Sequence, residues 1–158
     1  MDIPVYLVVG FLDGGKTNFI NGILEDGFAR KDHTLLLCCE EGDEEYTEKF
    51  LKNVTVVTVE DQAQLTCSFL KECEKKYRPR QILIEYNGMW PLTPLYENVL
   101  PANWVLYQIM CFVEGGSFDL YARNMGQLMM EKITQADLIV FNRCTPEIRD
   151  ALRKRNLR

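Results

Sequence analysis

One histidine, His33, is present in 158 residues. It is read as a strand-edge residue rather than a ligand, which leaves little room for imidazole-based metal binding. No segment approaches the run of about 18 apolar residues that a membrane span requires, so no spanning helix is expected. Asp2 stands where a secretory leader would carry basic residues, and no leader is read. The chain is therefore expected to be cytoplasmic, with its six cysteines held as thiols. An excess of positive charge is also missing: the net charge is −5 and the pI about 5.0. That balance argues against a nucleic-acid-binding face. The single basic run, 149–158, reads as a solvated helix end whose cations complement the helix dipole. Repeats, low-complexity stretches and a linker are absent too.

What is there is a chain 47% hydrophobic, enough for a real core in one domain. Apolar strand candidates fall at 3–9, 33–39, 54–59, 81–86, 104–113 and 137–141, and helical candidates at 16–27, 61–77, 92–100, 118–135 and 146–155. The alternation predicts an α/β fold, a three-layer sandwich with a mostly parallel sheet covered on both faces. Leu35-Leu36-Leu37 and Ile82-Leu83-Ile84 are continuous apolar runs of the kind buried on both sides.

Gly10-Phe11-Leu12-Asp13-Gly14-Gly15-Lys16-Thr17 matches the phosphate-loop pattern G-x-x-x-x-G-K-[ST] in full. A strand candidate precedes it and a helical pattern follows, which is the context this chemistry needs. The amides of the loop, with Gly10, Gly14 and Gly15 allowing close approach, would wrap a phosphate at the helix N-terminus. Lys16 would reach the β- and γ-phosphates and Thr17 would hold Mg²⁺. Asn18 completes the candidate nucleotide contacts at the helix start. Glu85 closes a buried strand at the carboxyl edge, where α/β ligands bind, and is placed to hold Mg²⁺ through water or to polarise the attacking water. Gly88 would bring a backbone amide close to the γ-phosphate.

Four segments, in order, resemble one family, the CobW-like P-loop GTPases of the cobalamin-synthesis and zinc-chaperone type. They are the loop just quoted, Cys39-Glu40-Glu41-Gly42, Leu83-Ile84-Glu85-Tyr86-Asn87-Gly88, and Gln135-Ala136-Asp137-Leu138-Ile139-Val140-Phe141-Asn142-Arg143. The resemblance implies a nucleotide-binding domain over 1–158, followed in the family by a smaller second domain. It implies GTP, or another nucleoside triphosphate, hydrolysed with Mg²⁺, and a downstream role in metal delivery or cofactor assembly. It also implies a protein client or a homodimer as partner. Asn142 and Arg143 are then the base contacts, and Glu40 joins Thr17 and Glu85 toward Mg²⁺.

Three departures matter. Asp13 replaces the family's glycine; it either orients the attacking water, weakens triphosphate binding by like-charge repulsion, or caps a loop amide. Thr145 replaces the aspartate of the guanine-reading N-K-x-D. Losing such a charge-assisted partner forfeits about 1.5–3 kcal/mol, so guanine preference is inherited but locally contradicted. The family's Cys-x-Cys-Cys segment is missing, and Cys38-Cys39 point to opposite strand faces, so a zinc or cobalt site from these cysteines is not expected. The acidic run 40–48 reads as a switch loop, as hard-oxygen metal ligands, or as a charged loop entering a helix. Two rival functions stay open: a phosphotransferase with Asp13 as base, and a binding module that does not hydrolyse.

Overall fold

A computed structural model describes residues 1–10, 16–40, 46–114, 131–132 and 134–142. Six strands form one sheet: β1 (Ile3–Gly10), β2 (Thr34–Cys38), β3 (Val54–Thr58), β4 (Gln81–Glu85), β5 (Trp104–Glu114) and β6 (Leu138–Asn142). Their order across the sheet is β3-β2-β4-β1-β5-β6, and every pairing is parallel. Helix α1 (Lys16–Glu25) follows β1, and α2 (Cys67–Tyr77) precedes β4. All six strand predictions hold to within a residue at each end.

Side-chain alternation sorts the core into two layers. Val5, Leu7 and Val9 pack with Leu70 and Cys73 of α2 on one face. Val8 packs with Ile20 and Leu24 of α1 on the other. Leu35, Leu36 and Leu37 are fully buried, as are Ile82, Leu83 and Ile84. Each such side chain contributes roughly 1.5–3 kcal/mol of transfer free energy, which is why the continuous apolar runs took the interior of a parallel sheet.

The helices depart further from expectation. The predicted 61–77 helix begins only at Cys67, because the Thr66 side chain accepts from the amide of Phe69 at 3.1 Å and starts the helix there. Before it, Gln62–Gln64 form a single 3₁₀ turn closed by Asp61 and Gln64 in a capping box. The predicted 92–100 helix is a short helical run over 93–99 whose latter part, Leu95–Val99, is π-helical, with Pro101 just beyond its end. Helix α1 stops at Glu25, and Gly27 then turns with φ +102°. Within the predicted 118–135 helix, 131–132 and 134–135 are helical; its other residues and the 146–155 helix lie outside the described residues.

In β5 the register with β1 skips Tyr107, which bulges outward and is 69% exposed. From Met110 onward β5 is also paired with β6. In the order β2-β4-β1 the carboxyl ends of these three parallel strands lie side by side.

Candidate functional site

The site begins at the join between β1 and α1. Lys16 and Thr17 open the helix and are both buried. The Lys16 ammonium donates to the carbonyl of Gly10 at 2.6 Å and to that of Tyr86 at 3.4 Å. It is also ion-paired with Glu40. Burial pulls its pKa down to about 8, against the opposing pull of Glu85.

Because β4 lies directly beside β1, Glu85 arrives next to Thr17. The Thr17 hydroxyl donates to one Glu85 oxygen at 2.9 Å. Tyr46 donates its phenol proton to the other. Burial first, then the Glu85 charge, drives the Tyr46 pKa upward, so the phenol stays a donor. Strand β2 delivers the third group. The amide of Cys39 donates to the Glu85 carbonyl at 2.9 Å, and Glu40 follows at once. Two side-chain pairs, Lys16 with Glu40 and Thr17 with Glu85, thus form at the neighbouring carboxyl ends of β1, β2 and β4, and Lys16 also reaches the backbone carbonyl that follows Glu85.

The remaining candidates distribute as follows. Gly88 is buried in the loop after β4, three residues past Glu85, while Asn18 is exposed. Asn142 ends β6 opposite Glu114. Asp13, Gly14, Gly15 and Arg143 lie outside the described residues. His33 sits just before β2 and bonds Thr55 at 2.9 Å, at the end of the sheet away from the site. Burial pushes the Cys39 thiol up to about 12 and the Cys111 thiol up to about 11. Among the described residues no three Cys, His, Asp or Glu side chains are grouped to hold a metal.

Sequence reasoning missed Tyr46, Tyr86, Glu131 and Lys132. Tyr86 donates to the carbonyl of Pro91 at 2.7 Å and stacks edge-on with Trp90. Lys132, 1% exposed, donates to the carbonyl of Trp90 at 3.0 Å. Glu131 accepts from the amide of Leu92 at 2.5 Å. Tyr86 fills a variable position of the 83–88 segment, and Glu131 and Lys132 fall in a helical candidate without marking any chemistry; only the chain path brings them here. Beside Glu40 opens a cleft of about 380 Å³, lined by Cys39, Glu40, Thr58, Val59, Glu60 and Asn87.

No protein-family model matches the chain, and no curated protein sequence does. Solved structures do match. A zinc-bound triple mutant of the GTPase YjiA superposes with a TM-score of 0.61 at 20% identity, over 89% of this chain. The hydrogenase maturation factor HypB from Archaeoglobus fulgidus superposes with a TM-score of 0.64 at 15% identity, over 99% of this chain.

The fold is that of the P-loop GTPases.

It is the architecture that the CobW-like resemblance implies. The chain spans about half of the YjiA chain, 49%, and 77% of the HypB chain. At these identities the likeness establishes the fold, and the chemistry has to be argued from the side chains.

Proposed function

We propose that this chain is a Mg²⁺-dependent nucleotide-binding domain that hydrolyses a nucleoside triphosphate, GTP first among them. The observation that carries the reading is the convergence of Lys16, Thr17 and Glu85 at the carboxyl edge of β1 and β4. A phosphate-loop match alone is a pattern. A match whose lysine is buried at the strand end, and whose threonine touches a strand-end carboxylate, supports the reading as a phosphoryl-transfer site.

The donor set fits magnesium: a hydroxyl and a carboxylate oxygen 2.9 Å apart, both hard ligands. Thr17 and Glu85 would hold the ion, with Glu40 reaching it through water. Bound there, it would neutralise phosphate charge. The protein's own part is positioning and electrostatics. Lys16 exchanges its pairing with Glu40 for the β- and γ-phosphates. Its burial keeps that ammonium out of bulk water, where the attraction is stronger than at a surface. Glu40, released, and Glu85 are the carboxylates that can orient the attacking water, and Asp13 is a further candidate. The amide of Gly88 is assigned to the γ-phosphate and Asn142 with Arg143 to the base.

The broken base-reading motif makes altered base preference part of the proposal. Metal delivery or cofactor assembly as the downstream task rests on the family resemblance. It gains support from a zinc-bound GTPase and a hydrogenase maturation factor sharing the fold. A cytoplasmic location, a protein client and a homodimer rest on the resemblance too; among the described residues no helix is long and apolar enough to cross a membrane. The cleft beside Glu40 favours a second reading, a phosphotransferase with a small acceptor seated there. Phosphate release that needs no acceptor would eliminate it.

The deciding experiment is calorimetric binding of GTP, GDP, ATP and ADP, with and without Mg²⁺, to the wild type and to Lys16→Ala. Triphosphate affinity is expected to fall at least a hundredfold in the variant, about 3 kcal/mol for a buried charge-assisted contact set. Equal affinity in both proteins would overturn the assignment.

A further inference from the structure

The loop that follows Glu85 is held by two charged side chains that the phosphate chemistry does not call for. Glu131 binds the amide of Leu92 at 2.5 Å. Lys132 binds the carbonyl of Trp90 at 3.0 Å. These are adjacent residues of one helical segment, gripping backbone atoms two residues apart. Contacts to backbone fix the path of a loop whatever side chains it carries. Burying an ammonium costs free energy that an apolar residue of similar length would avoid. A lysine only 1% exposed is therefore a poor choice for filling space and a good one for holding a carbonyl.

The held loop leads straight to the phosphate lysine. Trp90 packs edge-on against Tyr86 with ring centroids 5.7 Å apart. The Tyr86 hydroxyl closes the loop on the Pro91 carbonyl. The Tyr86 carbonyl accepts from Lys16. On its other side, the gripping segment runs into Asp137, which exchanges two bonds of 2.8 Å with the backbone of Ile109 in β5. From there β6 runs to Asn142. Contacts thus join the phosphate lysine to the loop carrying Gly88 and that loop to Glu131 and Lys132, and the chain beyond them leads to the strand that ends at the proposed base contact.

We propose that Glu131 and Lys132 are positioning residues that clamp loop 86–92 in the geometry that distinguishes a nucleoside triphosphate from a diphosphate, and tie it to the strand ending in Asn142. The proposal rests on the nucleotide-binding function given above. A γ-phosphate meets a loop whose backbone is already fixed at Trp90 and Leu92, so its contact with the loop amide near Gly88 carries no ordering cost. Without the clamp, the triphosphate must order the loop itself, and its advantage over the diphosphate shrinks.

The test measures calorimetric affinities of the whole chain for GDP and for the β,γ-imido analogue of GTP, both with Mg²⁺. Wild type is expected to favour the triphosphate analogue. Lys132→Met and Glu131→Met, each removing the side-chain group that holds the loop backbone, are expected to compress that preference about tenfold, the size of one buried charged hydrogen bond. Lys132→Arg, which can still reach a carbonyl, should restore most of it. A merely structural role would lower melting temperature and weaken both ligands alike, leaving the ratio untouched. Folded variants with the wild-type ratio overturn the inference, as does a wild type that binds both ligands equally. If Lys132→Met does not fold, Glu131→Met decides, since it removes the acceptor at similar side-chain length. A wild type that binds neither ligand would instead bring down the nucleotide reading, and this one with it.

Discussion

Gly10 shows how much one position can decide. It closes β1 with φ +144°, and a Cβ added there would meet the carbonyl oxygen of Phe112 at 2.2 Å. The obstacle is backbone of the neighbouring strand, which cannot swing aside as a side chain can. The phosphate-loop pattern asks for glycine here, and the neighbouring strand supplies an independent reason that the sequence does not display. Gly10→Ala is expected to cost about 2 kcal/mol or more, combining a strained backbone with a forced strand separation. Urea denaturation followed by circular dichroism would measure it; a change under about 0.5 kcal/mol would show that β1 and β5 yield freely. Thr17 and Glu85 present the opposite case. Each is legible alone, one as a motif position and one as a strand-end carboxylate, and the fold brings the two into contact at 2.9 Å. Tyr46 was not legible, since a tyrosine within an acidic run carries no marker until the fold sets its hydroxyl against Glu85.

Among the elements, strands were easier to read than helices. A strand buried on both faces needs only an unbroken apolar run, and Leu35-Leu36-Leu37 and Ile82-Leu83-Ile84 supply it. Helix ends depend on single capping bonds, and Asp61 and Thr66 both offer an N-cap within six residues. Thr66 starts α2, and Asp61 starts only a turn. Thr66→Ala removes the acceptor for the Phe69 amide and should destabilise the protein by about 1 kcal/mol. Asp61→Ala, which loosens an exposed turn, should cost less. Thermal melts of the two variants rank them directly; the reverse order would move the functional start of the helix upstream. The expected helix over 92–100 forms over 93–99, tolerating Pro94 in its first turn and ending before Pro101, with Leu95–Val99 wound as a π-helix.

For the molecule as a whole, the clearest consequence of burial is a dependence of stability on pH. Burial lowers the Lys132 pKa to about 8 from 10.5, with Glu131 and Cys111 opposing that shift; Lys16 also faces it. Between those two values the unfolded chain binds the proton and the folded chain does not. Lys132 therefore adds stability as pH rises from about 8 to 10.5, and below 8 its burial as a cation counts against the fold. Lys16 acts with the same sign. The buried thiols of Cys39 and Cys111, raised above 9.0, act with the opposite sign from about pH 9 upward. The difference between wild type and Lys132→Met isolates the lysine. It should shift in favour of wild type across pH 8–10.5, by no more than about 3 kcal/mol and less where solvent screens the charge. Denaturation midpoints at intervals over that range would reveal it, and a flat difference would mean that Lys132 titrates as in water. The amino-acid sequence by itself determined the apolar runs, hence the parallel sheet, and the phosphate loop at its first turn, because burial and glycine placement are local properties of composition. Only the tertiary structure decided which charges meet: Glu40 with Lys16, Tyr46 with Glu85, Lys132 with the Trp90 carbonyl. Those pairings follow from the strand order, which sets β4 between β2 and β1, and strand order is fixed by the packing of the whole sheet rather than by any stretch within it.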